Sequence, residues 1–339
     1  MVSRVTVRKA VLGLSLGILV AALAVGGTAL VAPAARNKMA AAARATRDLT
    51  AAMLDSRRVR ADRRGEFANV IFLHHSVGRN LIRQGGLREL LSAAGFSFYD
   101  HDYNGTGLVK PDGAPAGYSY RVPGDDTDPG GLARIFEQPA HGLPLNAWSA
   151  LLQHEVIVVK SCFLSMRNLG DAELEHQKRD YLRMRAAIDR HRDRLFIVLT
   201  SPPANPAETT AAAAARARAL SQWLLSEEFR GGRSNLYVFD LFGLLAENDP
   251  AMPDYGMLRA SYREAGDSHP NQAANRTVAP ILARFIEECA RDYRARGRRE
   301  MMPAGGAGVE KAGGMAEAGA APAPRAVLSC TRGSWQIYW

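Results

Sequence analysis

The feature that most constrains the fold of this chain is the alternation of short apolar runs with longer helical patterns. The apolar runs are rich in β-branched and aromatic residues, and they fall at Asn69–Leu73, Phe96–Tyr99, Val156–Val159, Leu195–Thr200 and Leu236–Phe239. Continuous apolar runs of this length are typical of strands that are buried on both faces, as in a parallel sheet.

Helical patterns separate these runs, at Leu81–Ala94, Ala172–Arg190, Thr209–Ser226 and Asn271–Arg296. The last pattern has apolar residues at helical spacing, namely Val278, Ile281, Leu282, Phe285 and Ile286. One face of that helix should therefore pack on the sheet. Strands that alternate with helices indicate an open α/β sheet with right-handed crossovers. We predict a flavodoxin-like three-layer α/β/α sandwich with a parallel five-stranded sheet.

One long segment breaks this alternation. Residues 104–146 are rich in glycine, proline and aspartate and show little periodicity. A loop of this length inside a compact domain is usually functional or disordered. It follows the second predicted strand, on the side of the sheet where ligands bind in such folds.

The amino-terminal residues 1–35 do not have the composition of a globular domain. They contain Ala10–Ala32, 23 residues without a charge, which is enough to cross a bilayer core. Arg4, Arg8 and Lys9 precede this segment and favour a cytoplasmic amino terminus. We expect an uncleaved signal-anchor with an extracytoplasmic domain. A cleaved signal peptide of a secreted protein and a buried soluble helix are the alternatives.

The remaining sequence divides into three parts by composition. Residues 36–64 are rich in alanine and arginine and are predicted to form a helical or loosely ordered spacer. Residues 65–297 hold the predicted domain. Residues 298–339 include a stretch dominated by Gly, Ala, Pro and Glu, which has too few apolar groups to fold alone. We predict a low-complexity, disordered tail there.

The net charge of +9 does not indicate nucleic-acid binding. Arginines cluster at 36–64 and 291–299, and neither cluster is interleaved with aromatic residues as a base-stacking surface requires. Attraction to an anionic membrane surface fits an anchored protein better. The three cysteines lack zinc spacing. We predict no metal, no cofactor and no nucleic-acid partner.

Three polar clusters follow predicted strands and should meet at the carboxyl edge of the sheet. They are His74-His75-Ser76, Lys160-Ser161-Cys162 and the late loop 266–271, which reads GDSHPN. A serine hydroxyl becomes a nucleophile when a histidine accepts its proton, and a carboxylate steadies that histidine. Ser76, His269 and Asp267 supply these three groups. The helix predicted after Ser76 adds backbone N–H donors that can hold an oxyanion.

This arrangement resembles the SGNH, or GDSL-like, hydrolase family over roughly residues 66 to 290, as a divergent member. In that family the nucleophilic serine follows the first strand, and the histidine lies in an Asp-x-x-His-Pro stretch that opens the last helix. The stretch "GDSHPNQAANR" is similar, as are "TSPPANP" and "LYVFDLFGLL". The resemblance implies hydrolysis or transfer of an acyl group through an acyl-serine on Ser76, with His269 as base and Asp267 as its partner.

The sequence departs from the family pattern at several positions. "HHSVG" replaces the usual Gly-Asp-Ser, and Gly266 holds the position of the family's aspartate, which leaves Asp267 or, as a fallback, Glu264. The family's Gly-x-Asn-Asp block is absent. The resemblance then implies an oxyanion hole built from the Ser76 N–H, a glycine in "YNGTG" and a substitute for the asparagine. We assign Gly105, with Gly107 as the alternative, and Asn168, with Ser161 as the alternative.

Each of these residues also has a purely structural interpretation. Ser76 could cap the following helix, His269 could be a turn residue, and Asp267 could be a helix cap. His74 is expected in the core, and His75 is expected to be structural or to line the pocket, since neighbouring strand residues point to opposite faces. Two other chemistries stay open. One is a metal-dependent phosphoesterase using His75, His101, Asp102 and His269, and the other is a Cys162 nucleophile.

We therefore expect a serine ester hydrolase or acyltransferase that acts on a carbohydrate or lipid ester. On location alone, an O-acetylated envelope carbohydrate is the preferred substrate. The alternative from another class is a catalytically degenerate protein of the same fold that binds glycans or acts as a scaffold.

Overall fold

The structure is a computed structural model, and it describes residues 33–124, 128–264, 266–301, 327–331 and 334–338. The predicted anchor segment Ala10–Ala32 lies outside these residues. Within the described ranges, no helix is both long enough and apolar enough to cross a membrane.

Six strands form the central sheet in the order β3-β2-β1-β4-β5-β6. Their bounds are β1 Asn69–Leu73, β2 Ser97–His101, β3 Leu108–Val109, β4 Val156–Lys160, β5 Leu195–Leu199 and β6 Leu236–Phe239. Five strands are parallel, as predicted, and their order is that of the flavodoxin-like doubly wound sheet. The predicted strand count was one short, because the two-residue strand β3 pairs antiparallel with the end of β2.

Helices cover both faces of the sheet. Their bounds are α1 Pro33–Ala61, α2 Ser76–Arg83, α3 Leu87–Ala93, α4 Pro129–Phe136, α5 Ala147–Leu151, α6 Asp171–Ile188, α7 Ala211–Leu225, α8 Glu227–Arg230, α9 Leu241–Leu245 and α10 Gln272–Met301. One apolar cluster joins the sheet to α1 and α4–α8, and a second joins its other face to α2, α3, α9 and α10. The chain therefore forms the predicted three-layer α/β/α sandwich.

Two predicted segments differ in detail from the structure. The helix expected over residues 81–94 is two helices, α2 and α3, because Gly86 between them has a φ of 72°, a left-handed conformation that favours glycine. The segment 104–146 is not a single loop. It contains β3, α4 and the residues leading to α5, and the carboxylate of Asp128 caps α4 by accepting from the Gly131 N–H at 2.8 Å.

The second half of the predicted spacer belongs to the folded domain. Ala52 and Val59 of α1 are buried in the first apolar cluster, and the Ser56 hydroxyl donates to the Gln153 side chain at 2.6 Å. Residues 36–44 of the same helix are exposed. The packed part of the chain therefore begins before residue 65.

Part of the predicted tail forms a hairpin. Strands β7, Val327–Thr331, and β8, Ser334–Tyr338, pair antiparallel in a separate two-stranded sheet. The Gly- and Ala-rich residues 302–326 lie outside the described part of the chain.

Candidate active site

Ser76 stands where β1 ends and α2 begins. His75 is the N-cap residue of α2, and no side chain caps this helix. Ser76 is thus the first helical residue and does not act as the cap. Two residues on, Gly78 lets the helix approach the strand end closely, because a Cβ there would lie 2.4 Å from Cβ of His74. This turn presents the Ser76 hydroxyl at the carboxyl edge of the sheet.

The second part of the site is the loop before α10. Gly266 has a φ of 69°, a left-handed conformation that favours glycine, and the carboxylate stands at the next residue, Asp267. Asn271 caps α10 by accepting from the Ala274 N–H at 3.0 Å. Asp267 and His269 are therefore not needed as caps, and their side chains can point towards Ser76.

Three side chains meet at this edge in one hydrogen-bonded chain. Nε2 of His269 lies 2.6 Å from Oγ of Ser76, and Nδ1 of His269 lies 2.6 Å from Oδ1 of Asp267. The same carboxylate oxygen also accepts from the His269 backbone N–H at 2.9 Å. Because a carboxylate can only accept, Nδ1 carries the proton and Nε2 is left to accept the hydrogen of Ser76.

Asp267 carries the negative charge of this hydrogen-bonded triad. Burial acts to raise the pKa of Asp267, but the hydrogen bonds from His269 and the positive charge of Arg167 outweigh it, and the pKa is lowered. The side chains of His269 and Asp267 are 32% and 48% exposed. The carboxylate is therefore ionised at neutral pH, and the imidazole is open to a ligand.

The loop after β4 packs against the histidine. The ring of Phe163 meets the His269 ring edge-on, with centroids 5.1 Å apart. Cys162 is buried with Phe163 and Val77 in a small apolar cluster. Its position is that of a small core residue, whereas Nε2 of His269 faces Ser76. The geometry therefore favours the serine over Cys162 as the partner of His269.

A polar network that the sequence did not identify holds the loop of Asp267. Oγ of Ser268 accepts from the Asn205 N–H at 2.9 Å and donates to the carboxylate of Glu208. The Asn205 side chain donates to the Asp267 carbonyl at 2.8 Å. Glu208 also pairs with Arg167 at 2.5 Å. Asn205 lies in the "TSPPANP" stretch that was noted for its resemblance, so that stretch was the available signal.

Gly105 and Asn168, which were assigned to the oxyanion hole from the sequence, lie in loops near this edge. None of the described hydrogen bonds joins them to Ser76, His269 or Asp267. Gly105 is in an exposed turn that begins at Tyr103, whose ring lies 4.9 Å from the His75 ring. Asn168 is exposed in the loop after β4. The described side-chain hydrogen bonds of Ser76 and His269 run to each other and to Asp267, so Gly105 and Asn168 stay predictions.

His74 and His75, which precede Ser76, have structural environments. His74 is buried, with Nε2 3.1 Å from Oδ2 of Asp100, and Arg88 already neutralises that carboxylate. Burial lowers the pKa of His74 to about 4, so the ring is neutral at pH 7. His75 is buried beside Tyr103. The placement of His74 agrees with the expectation of a core residue.

The residues considered for a metal site do not converge. Oδ2 of Asp102 pairs with Arg79, and Nε2 of His101 lies 3.2 Å from the Ser119 hydroxyl. In the described ranges, no three His, Cys, Asp or Glu side chains are grouped so that they could hold a metal ion.

Comparisons with known proteins add little to this geometry. No protein-family model matches the chain, and no curated protein matches its sequence. Among solved structures, a Bacteroides fragilis protein described as a "putative acylhydrolase" is similar at a TM-score of 0.40 and 10% sequence identity. That match covers 65% of this chain and 87% of the other. A likeness of this degree carries no argument about chemistry, so function must be inferred from the site itself.

Proposed function

We propose that the protein is a serine acyl-ester hydrolase or acyltransferase, a divergent relative of the SGNH hydrolases, which works through an acyl-Ser76 intermediate. The observation that carries the proposal is the continuous chain from the Ser76 hydroxyl through His269 to Asp267, with both hydrogen bonds at 2.6 Å. A hydroxyl, an imidazole and a carboxylate in this order form the constellation that activates serine in unrelated folds.

The chemistry follows from the proton positions. Oγ of Ser76 attacks the ester carbonyl while its proton moves to Nε2 of His269, and the imidazolium that results is stabilised by the carboxylate of Asp267. The tetrahedral intermediate collapses when Nε2 returns this proton to the departing alkoxide, which leaves as the alcohol. A water, or an acceptor alcohol in acyl transfer, then attacks the acyl-serine while its proton moves to Nε2. The bond from the acyl carbon to Oγ breaks as Nε2 returns that proton to Oγ, and this regenerates Ser76.

The developing oxyanion would be held at the start of α2. The first N–H groups of a helix have no partner within the helix, and the N–H of Ser76 is the first of α2. The helix dipole adds to this stabilisation. We keep Gly105 and Asn168 as the further donors in this proposal, since both lie in loops at the carboxyl edge of the sheet.

The substrate class is inferred from the location expected for the protein. If Ala10–Ala32 anchors the chain, the domain faces the extracytoplasmic space, where acylated envelope carbohydrates and lipid esters are available. We propose an O-acetylated carbohydrate as the substrate, with a lipid ester as the alternative. No cofactor enters the proposed steps.

The test is p-nitrophenyl acetate turnover by Ser76→Ala and His269→Ala. Removing either partner of such a unit typically lowers kcat by about 10⁴-fold or more, and we expect a loss of that order. Ser92→Ala and His176→Ala, at exposed positions on α3 and α6, are the matched controls and should retain full turnover.

A fluorophosphonate probe supplies an independent measurement. It should modify Ser76 in the wild type, and it should label His269→Ala more slowly than the wild type. Equal turnover of wild type and both variants, with no labelling, would instead identify the degenerate glycan-binding or scaffold protein. Turnover that a chelator abolishes would point back to the phosphoesterase.

A further inference from the structure

The direction of α1 relative to the sheet is fixed at its carboxyl end. The Asn69 side chain, at the first residue of β1, donates to the Val59 carbonyl at 2.6 Å. The carboxylate of Asp62, just after α1, accepts from Ser97 at 2.9 Å and from Tyr99 at 2.8 Å, both near the start of β2. The end of α1 therefore lies at the amino ends of the strands.

The middle of α1 lies beside residues 119–121, and the backbone of that segment is held at His101, the carboxyl end of β2. Leu49 and Ala52 line a cavity of about 170 Å³ together with Ser119 and Tyr120. Ser119 Oγ is 3.2 Å from Nε2 of His101, the last residue of β2. Along α1 the chain thus passes from the carboxyl edge of the sheet to the amino edge, antiparallel to the five parallel strands.

The first half of α1 must then project beyond the carboxyl edge, on the side where Ser76 lies. Residues 33–48 precede the first residue that lines the cavity, and at 1.5 Å per residue they span about 24 Å. Residues 36–44 are exposed throughout, as expected for a helix that has left the domain surface.

The charge of this projecting half suits an anionic surface. Arg36, Lys38, Arg44 and Arg47 lie on it, and Asp48 is the first acidic residue of the whole chain. The uncharged segment Ala10–Ala32 comes directly before it. Basic residues next to a membrane segment are attracted to anionic lipid headgroups.

We propose that α1 is a spacer that holds the carboxyl edge of the sheet, with Ser76, facing an anionic lipid surface at a distance set by about 24 Å of helix. The orientation stands on the direction of α1 and on the composition of residues 10–47. Its consequence for the substrate rests on the proposed hydrolase function. In that case the ester lies on a membrane-proximal chain within this gap.

A second basic surface, at the amino ends of the strands, would place the domain in the opposite orientation on the lipid. Arg60, Arg64 and Arg194 lie together at the amino ends of the strands, where the charges of Arg194 and Arg64, after burial, lower the pKa of Arg60. If this surface met the lipid, the domain would be inverted. We assign the lipid to the other edge because the full α1 helix, about 43 Å long, separates residue 33 from this surface.

The experiment measures which edge is nearer to the lipid. Full-length protein with Cys330→Ser would carry a single donor dye at Leu164→Cys, exposed in the loop after β4, or at Arg192→Cys, exposed before β5. The two remaining native cysteines, Cys162 and Cys289, are buried. The protein is reconstituted in phosphatidylcholine–phosphatidylglycerol vesicles that contain an acceptor-labelled lipid.

We expect greater energy transfer from residue 164 than from residue 192. Deleting residues 37–43, two helical turns and about 10 Å, should raise transfer from residue 164 further. Equal transfer, greater transfer from residue 192, no effect of the deletion, or failure of the protein to float with the vesicles would each overturn the proposal. Hydrolysis of a soluble ester, measured in parallel, tests the proposed function separately, since the distances do not depend on it.

Discussion

Two regions of this molecule contain the same hydrogen-bonded sequence of a hydroxyl, an imidazole and a side-chain oxygen. At the carboxyl edge, Ser76, His269 and Asp267 are joined at 2.6 and 2.6 Å. Near the amino edge, the Tyr120 hydroxyl lies 2.8 Å from Nε2 of His154, and Nδ1 of His154 lies 2.6 Å from Oδ1 of Asn69. The distances alone do not separate a reactive site from a structural one.

Charge and exposure do separate them. His154 is fully buried, and burial, with the nearby charge of Arg194, lowers its pKa to about 3. Asn69 offers an amide oxygen, which stabilises an imidazolium less than a carboxylate does. The buried ring therefore stays neutral and holds β1 to the segment around Tyr120. The ring of His269 is a third exposed and faces an ionised carboxylate, so it can take up the serine proton.

Asp267→Asn makes the two hydrogen-bonded triads chemically alike, and a large loss of activity is expected. The amide cannot stabilise the imidazolium and can impose the wrong tautomer, so we expect kcat to fall by about 10⁴-fold. The variant should unfold at nearly the wild-type temperature, because this side chain is 48% exposed. Steady-state turnover and thermal unfolding check both points. Full activity would remove Asp267 from the mechanism and shift attention to Glu264.

The reverse experiment is His154→Ala set against His269→Ala. Truncating His154 leaves a cavity and deprives Asn69 and Tyr120 of their partner, so the free energy of unfolding should fall by about 3 kcal/mol. Activity per folded molecule should persist. His269→Ala should give the opposite result, with little loss of stability and no turnover. Both properties are measured on the same samples, stability by urea unfolding and activity by turnover. Equal losses of stability and of activity in the two variants would contradict the distinction between a structural His154 and a reactive His269.

The comparison also predicts a dependence of stability on pH. In the unfolded chain a histidine has a pKa of about 6.5, whereas that of folded His154 is about 3. Above pH 6.5 both states are neutral and His154 adds no pH dependence. As the pH falls from 6.5 towards 3, the unfolded state binds the proton and the folded state does not. The free energy of unfolding should therefore fall by about 1.4 kcal/mol per pH unit from this residue.

His154→Gln isolates this contribution from that of His74, which acts in the same direction. Glutamine can keep one donor and one acceptor for Asn69 and Tyr120 but cannot titrate. The free energy of unfolding, measured by urea between pH 4 and 7.5, should show a slope shallower by about one proton in the variant. Identical slopes would mean that His154 is charged in the folded protein.

The fold could be predicted because its signal is local and repeated. The bounds of β1 and β6 match the predicted runs, and the other parallel strands differ by one or two residues. The strand β3 could not be predicted in this way, because two residues are too few to show a period. The catalytic candidates Ser76 and His269 could be predicted from the ends of elements. Ser76 follows β1 and His269 precedes α10, and both boundaries lie at one edge of the sheet.

The support of the site was not predictable in the same way. Glu208 reaches Ser268 across 60 residues of sequence, and no short-range pattern encodes that contact. His154, likewise, precedes β4 with nothing in its neighbourhood to show that its partners are Asn69 and Tyr120. Such contacts are set by tertiary packing, which overrides local sequence propensity.

Glu208→Gln is the smallest of the expected effects and tests whether the reactive chain, unlike the buried one, depends on a separate support. The carboxylate accepts from Ser268 and pairs with Arg167, whose guanidinium lies 5.0 Å from the Phe163 ring that packs on His269. Without the charge, the loop of Asp267 should loosen, and kcat should fall by about tenfold with little change in KM. Ser268→Ala should have a similar effect, and the double variant should be little worse than either single one, because both weaken the same contact between Ser268 and Glu208. Glu175→Gln, on the exposed face of α6, is the matched control. Strictly additive losses would show that Glu208 acts on the site by a route other than Ser268.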